Sequence, residues 1–373
     1  MLLILAIITC LIPIFVYSIY GTAILLSRDP VPIKSKNKPE ITVVVPTFNE
    51  SEVIENRIKN LSEIRYPSHL IHTIVVDDRS TDNTLEFAKK AFEKYNISGE
   101  VLVKEKRTGT NVSVNLGVSK AKTEIVVTTD ADVVFEANAL DYAIGRLLSS
   151  ENIGAVCGEL EPVIKKSSFT TSSEKAYRSV YGKMCSWESK IDSTYCFNGP
   201  LIVLRKKAFS PIPETHGASD AGMALRIIRN GYRCLYEPAA KFYEYITAEL
   251  QQQKRQKLRR SARLQEATFY NLDLVFSKFR KFGLFIFPLR IVMLFIAPAA
   301  FFMSVILWTY LAAEINLIYG AGILTLFMLA LLSGIKNSNL ISSFIWHQIY
   351  LLFSLRYIFR GVHIWKAIDR EEV

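Results

Sequence analysis

No charged side chain occurs in the first 27 residues, and none of the five cysteines stands in a pair at metal-ligand spacing. Cys10, Cys157, Cys185, Cys196 and Cys234 are therefore expected as free thiols or core residues. No internal repeat or low-complexity tract is present. The uncharged start also lacks the basic flank, short apolar core and small-residue cleavage site of a signal peptide. It exceeds the roughly 20 apolar residues that span a bilayer, so a membrane anchor is expected, with a buried core helix as the plainer alternative. Acidic residues are outnumbered, 35 against 45 Lys and Arg, for a net charge of +10. The excess gathers beside apolar segments, where anionic headgroups attract it, and this disfavours a nucleic-acid partner.

Half of the residues are hydrophobic and the mean hydropathy is +0.20, which suits a soluble domain joined to membrane segments. Arg28, Pro30, Pro32, Lys34, Lys36 and Lys38 form a basic linker over residues 28–39, cytoplasmic by the positive-inside tendency. Residues 291–313 and 317–332 are expected crossings, with the Glu314 loop outside. Residues 341–355 carry His347 and Gln348 and precede Arg356, Arg360, Lys366 and Arg370. A crossing there would put these cations outside, so three crossings are expected and the last stretch interfacial or re-entrant; four crossings is the alternative. The organisation read is an anchor at 1–27, the linker, a cytoplasmic domain at 40–250, interface helices at 251–288 and a membrane region at 289–373. The sequons at Asn60, Asn96 and Asn111 are then chance matches.

Within the soluble stretch, β-branched runs alternate with helical segments. Residues 41–45, 72–76, 100–104 and 124–129 read as strands. Helices are expected over 50–64 (Asn49 or Ser51 as cap), from after Asn83 to 95, and over 111–121. This alternation predicts a parallel sheet covered on both faces, with ligands beyond the strands' carboxyl ends. Pro46-Thr47-Phe48-Asn49-Glu50, Asp77-Asp78 and Asp130-Ala131-Asp132 all fall at those ends. Carboxylates at i and i+2 of an extended segment share a side and can hold a hard cation against a diphosphate. A lone Asp-x-Asp is more often a turn or solvated pair, so the weight lies in the three clusters together.

These motifs, with Val75 to Thr84 around the acidic pair, resemble in order and spacing the signature of family-2 glycosyltransferases of the GT-A fold. The resemblance covers roughly residues 40–264 and implies a Rossmann-like, mostly parallel sheet. It implies that Pro46, Thr47, Asn49, Glu50, Asp77 and Asp78 hold the nucleotide, that Asp132 ligates Mn²⁺ or Mg²⁺, and that Asp130 faces the ribose or a metal-bound water. Thr110 stands where the family commonly has Lys; Lys106 or Arg107 is the replacement cation for the diphosphate, with a solvated loop charge as the alternative. Gly199-Pro200 matches an acceptor-side strand before the Arg205-Lys206-Lys207 turn. Asp220, in Ala218-Ser219-Asp220 before a helix over 221–230, matches the family's general base, with a helix N-cap as the alternative.

Residues 251–265 read as a basic amphipathic helix. Gln256-Lys257-Leu258-Arg259-Arg260 resembles the Gln-x-x-Arg-Trp motif of cellulose- and hyaluronan-synthase-like enzymes, with Arg260 in place of Trp. By that resemblance Arg259 meets the diphosphate and Gln256 and Arg260 the acceptor; Gln252 to Arg255 fits a second register, and a headgroup-binding interfacial helix is the alternative. From 263 to 287 aromatic and basic residues interleave, as in a helix lying in the interface. The family then implies an inverting, metal-dependent hexosyltransferase acting at the membrane on a lipid-linked acceptor such as dolichyl or polyprenyl phosphate. GDP-mannose is the first donor and UDP-hexose the second. A processive polysaccharide synthase and a non-catalytic nucleotide-sugar-binding scaffold are the competing readings.

Overall fold

Strand β1 (Ile41–Thr47) has apolar residues on both faces and is buried along nearly its whole length, as a strand inside a covered sheet must be. It belongs to a computed structural model that describes residues 1–163, 169–245, 250–276, 280–333 and 339–358. Arg360, Lys366 and Arg370, and Lys278 and Phe279 of the interleaved stretch, lie outside the described residues. Contacts divide the chain into two units. One comprises Arg28–Lys165 and Cys185–Ile246; the other comprises Met1–Ser27, Lys166–Met184 and Thr247–Arg360.

The first unit is built on β1, β2 (Ile71–Asp77), β3 (Ser98–Val103), β4 (Ile125–Thr128), β5 (Val133–Phe135), β6 (Ile153–Val163), β7 (Ile202–Arg205) and β8 (Arg233–Tyr245). They form one sheet in the order β3-β2-β1-β4-β7-β6-β8-β5. β3, β2, β1 and β4 run parallel, as expected from the βα alternation. β7 then enters antiparallel to β4 and β6, and β5 antiparallel to β8. Among the described residues the sheet is therefore mixed, with four parallel pairings and three antiparallel ones that all involve β7 or β5. Cys196 to Pro200 is not a strand: β7 starts only at Ile202, after a turn at Gly199-Pro200.

Helix Thr110–Lys120 covers β1 so closely that a Cβ on Gly117 would lie 2.2 Å from Val44 Cγ1. Helix Ile54–Glu63 starts at Val53 without a side-chain cap, so neither Asn49 nor Ser51 caps it. Their backbone amides instead donate to Ser80 Oγ and Asp82 Oδ2, tying the loop after β1 to the loop after β2. The linker is also docked. Ser35 N donates to Asp141 O, Arg146 Nη2 to Val31 O, and Lys38 pairs with Asp141 at 3.1 Å. Only glycine fits beneath it at position 145, where a Cβ would meet Ile33 O at 2.1 Å.

Among the described residues of the second unit two helices are long and apolar enough to cross a membrane, Leu2–Leu26 and Phe282–Ile315, and Leu317–Leu332 is a shorter apolar helix. Phe282–Ile315 begins nine residues before the expected 291 and contains π-helical turns at Phe282–Ile286 and Val292–Ile296. The amphipathic helix runs Leu250–Phe269 and then breaks, so the interleaved stretch to 287 is not one helix. Buried Gln265 pegs it: Nε2 donates to Leu294 O and Leu351 O, and Oε1 accepts from Ser354 Oγ. The expected interfacial stretch is a helix, Leu340–Ser354.

Candidate active site

Because β1, β2 and β4 are parallel and in register, their carboxyl ends bring Thr47, Asp77 and the Asp130 loop to one edge. Asp77 is fully buried and folds its own loop: its carboxylate accepts from Ser80 N and Ser80 Oγ. Asp78, also buried, accepts from Thr108 N and Gly109 N at 2.8 Å each and pairs with buried Lys104 at 2.6 Å. Neither caps helix Thr84–Lys94, whose N-cap is Asn83. Asn49 adopts φ 54°, a left-handed conformation that Asn tolerates, and its Oδ1 accepts from Thr81 N. The residues expected to hold the nucleotide thus first hold each other, which leaves a rigid strand-end platform. Arg107 lies over the Phe48 ring at 3.5 Å, which brings it beside the end of β1, whereas Lys106 is exposed.

The Asp130 loop connects β4 to β5. Thr129 N donates to Val44 O and Ala131 is buried, so the turn is pinned while the Asp130 side chain stays open to solvent. The surrounding protein, followed by the charges of Asp132, Glu244, Asp220 and Glu50, pushes the Asp130 carboxyl up to about 8. Its open tip lets solvent offset part of the burial; the crowd of carboxylates keeps the direction upward. Glu244 had no sequence signal of its own: it reaches this group because β8 pairs with β5, Val133 opposite Glu244.

Asp220 is not an N-cap. Ala218 takes that place and Asp220 sits in the first turn of helix Ser219–Arg229. Its carboxylate borders Gly199, where an added Cβ would stand 3.5 Å from Asp220 Oδ2. Pro200 follows in the same turn, which Asn198 anchors through Nδ2 to Gly158 O and the Tyr236 hydroxyl. Arg205 and Lys206 lie at the far end of β7, bonded to Ile153 O and Ala121 O. Gln256, Arg259 and Arg260 are half-buried on helix Leu250–Phe269 of the second unit.

Among the described residues no three His, Cys, Asp or Glu side chains cage an ion by themselves. The donor set is all hard oxygen, and the neighbouring carboxylates raise the proton affinity of Asp130. This fits a Mn²⁺ or Mg²⁺ ion held by one or two carboxylates and completed by substrate phosphate oxygens.

A mixed α/β sheet with acidic loops at its carboxyl edge is the architecture of GT-A nucleotide-sugar enzymes. The fold is shared with the mannosyltransferase PcManGT from Pyrobaculum calidifontis, solved with GDP-Man and Mn²⁺, to which the chain is 22% identical with a TM-score of 0.80, covering 96% of this chain and 99% of that one. The profile of Glycosyl transferase family 2 matches residues 42–210, so this stretch of the chain is a family-2 glycosyltransferase domain. It is 24% identical over 219 residues to the probable glycosyltransferase YdaM of Bacillus subtilis, covering 56% of this chain and 51% of YdaM. To the poly-beta-1,6-N-acetyl-D-glucosamine synthase of Staphylococcus aureus it is 25% identical over 251 residues, covering 64% of this chain and 60% of the synthase. The chain therefore spans only about half to three-fifths of the length of these curated relatives.

Proposed function

We propose that the chain is an inverting, metal-dependent glycosyltransferase that moves a hexose from a nucleotide-sugar to a lipid-linked acceptor at the cytoplasmic face of a membrane. The observation that carries the reading is the gathering of Asp130, Asp132, Asp220, Glu50 and Glu244 charges at the carboxyl edge of the sheet. Asp132, with Asp130, holds the divalent ion; when bound, that ion neutralises charge on the leaving diphosphate. Pro46, Thr47, Asn49, Glu50, Asp77 and Asp78 line the nucleotide side, with Lys106 or Arg107 toward the diphosphate. Of these cations Arg107 is favoured by its place over Phe48. Where the attacking acceptor oxygen is a hydroxyl, Asp220 takes its proton on the opposite side of the anomeric carbon, beside the turn at Gly199-Pro200; a phosphate oxygen arrives without a proton and needs this base little.

Two apolar helices of spanning length and the basic linker support membrane attachment with the family-2 domain inside. In this reading three segments cross and helix Leu340–Ser354 lies at the interface. GDP-mannose and a dolichyl or polyprenyl phosphate are the first donor and acceptor to test, UDP-hexose the second donor. Similarity to a polysaccharide synthase supports a second reading, processive synthesis. Full-length protein incubated with each donor, Mn²⁺ and a panel of lipid phosphates should yield a singly glycosylated lipid. Long polymer without added lipid would replace the first reading by the second. Binding of donor with no transfer to any acceptor would favour a scaffold.

A further inference from the structure

β5, the strand that follows the Asp-x-Asp turn, is the last strand of the sheet and, among the described residues, pairs only with β8. Its other side should expose main-chain groups, yet two side chains of helix Ile54–Glu63 occupy it. Asn60 stands in for a neighbouring strand: its Oδ1 accepts from Phe135 N at 2.8 Å and its Nδ2 donates to Phe135 O at 3.1 Å. One turn earlier on the same helix face, Arg57 Nη1 donates to Val133 O at 2.9 Å. Arg57 is 1% exposed, and its guanidinium lies 4.1 Å from the centre of the Phe135 ring. Its Nε and Nη2 have no hydrogen-bond partner among the described residues.

Tying down an edge strand does not require such a group. A buried guanidinium with one hydrogen bond is costly, and a neutral amide like that of Asn60 secures the same backbone without burying charge. What Arg57 adds is reach and rigidity at the residue immediately after Asp132. The turn is then held at both ends, by Thr129 N on Val44 O before it and by Arg57 on Val133 O after it. We propose that Arg57 and Asn60 are positioning residues that act through the main chain of β5 to hold Asp132 in its ion-binding place. This inference rests on the role given above to Asp132, but its structural half stands without any ion.

The sign of one measurement separates position from charge. Removing a cation near a carboxylate cluster would by Coulomb's law tighten binding of another cation. Loss of position would weaken it, and lost supporting contacts around metal ligands typically cost about 10- to 100-fold in affinity. Mn²⁺ affinity in the presence of GDP or UDP is measured on full-length protein by electron paramagnetic resonance for Arg57→Met, Arg57→Lys and Asn60→Ala, with amide exchange of residues 132–135 followed in metal-free protein. Arg57→Met and Asn60→Ala are each expected to weaken Mn²⁺ at least about tenfold and to speed exchange at β5. Arg57→Lys, which keeps one donor for Val133 O, should recover most of the affinity. Unchanged or tighter Mn²⁺ binding with unchanged exchange overturns the inference. If Arg57→Met does not fold, Asn60→Ala carries the same test. If the parent protein itself binds no Mn²⁺, the role of Asp132 fails instead, and amide exchange alone decides whether Arg57 and Asn60 hold β5.

Discussion

Replacing Asp78 by Asn separates two roles that one carboxylate can hold, ligand binding and loop construction. Its side chain is 8% exposed, and that of its partner Lys104 is 7% exposed. It accepts from two main-chain amides, Thr108 and Gly109, and from the Lys104 ammonium. The amide of Asn keeps the shape but turns one acceptor into a donor, which then faces another donor. Breaking a buried ion pair from one side costs about 3–5 kcal/mol. Lys104 retains Thr108 Oγ1 and Gly109 O as acceptors, so the loss should fall near the lower figure, about 3 kcal/mol. At 1.4 kcal/mol per factor of ten, that corresponds to roughly 100-fold faster hydrogen exchange at the Thr108 and Gly109 amides. The experiment uses nucleotide-free protein, so a ligand contact contributes nothing. The double variant Asp78→Asn with Lys104→Met should be less destabilised than the sum of the two singles, because no unpaired ammonium is left. Exchange at these amides within about threefold of the parent would refute the loop-building role and leave Asp78 to the nucleotide alone.

Gly145→Ala should push the linker off its helix, since the new methyl would overlap Ile33 O, with faster tryptic cleavage at Lys34 and Lys36 as the readout. Gly117→Ala should cost about 1–3 kcal/mol by overpacking Val44, seen as a lower urea midpoint. Gln265→Leu leaves the Leu294 and Leu351 carbonyls and the Ser354 hydroxyl without this partner; at about 1–3 kcal/mol for an orphaned buried group, a lower melting temperature in detergent is expected.

The parallel strands and their helices were legible because each carries its own local pattern. β1 and β2 extend the expected runs only as far as Thr47 and Asp77, the residues that start the site loops. The later half of the sheet was not legible. β5 has three residues, too few for a period, and β7 is announced only by the antiparallel pairing it makes with β4 and β6. The carboxylates at strand ends could be found from motif spacing, and Asp220 from the resemblance of Ala218-Ser219-Asp220 to the family's motif. Glu244, Lys104, Arg57 and Asn60 could not, because their importance arises from long-range pairing: Glu244 with β5, Lys104 with Asp78, and the other two with the main chain of residues 133–135. The mistaken caps have the same origin. Asn49 and Ser51 have the right chemistry for a helix start, but the adjacent loop after β2 claims their polar groups first.

The most direct test of the central claim is nucleotide-sugar binding and turnover by full-length protein with and without Mn²⁺, compared with Asp132→Ala and Asp220→Asn. The parent should bind GDP-mannose or a UDP-hexose in a metal-dependent manner and transfer the sugar to a lipid acceptor. Asp132→Ala should lose the metal dependence, and Asp220→Asn should retain binding while turnover to a hydroxyl acceptor falls by at least about 100-fold, as loss of a general base entails, and turnover to a phosphate acceptor falls less. Metal-independent donor binding by the parent, or turnover unchanged in both variants, would contradict the account.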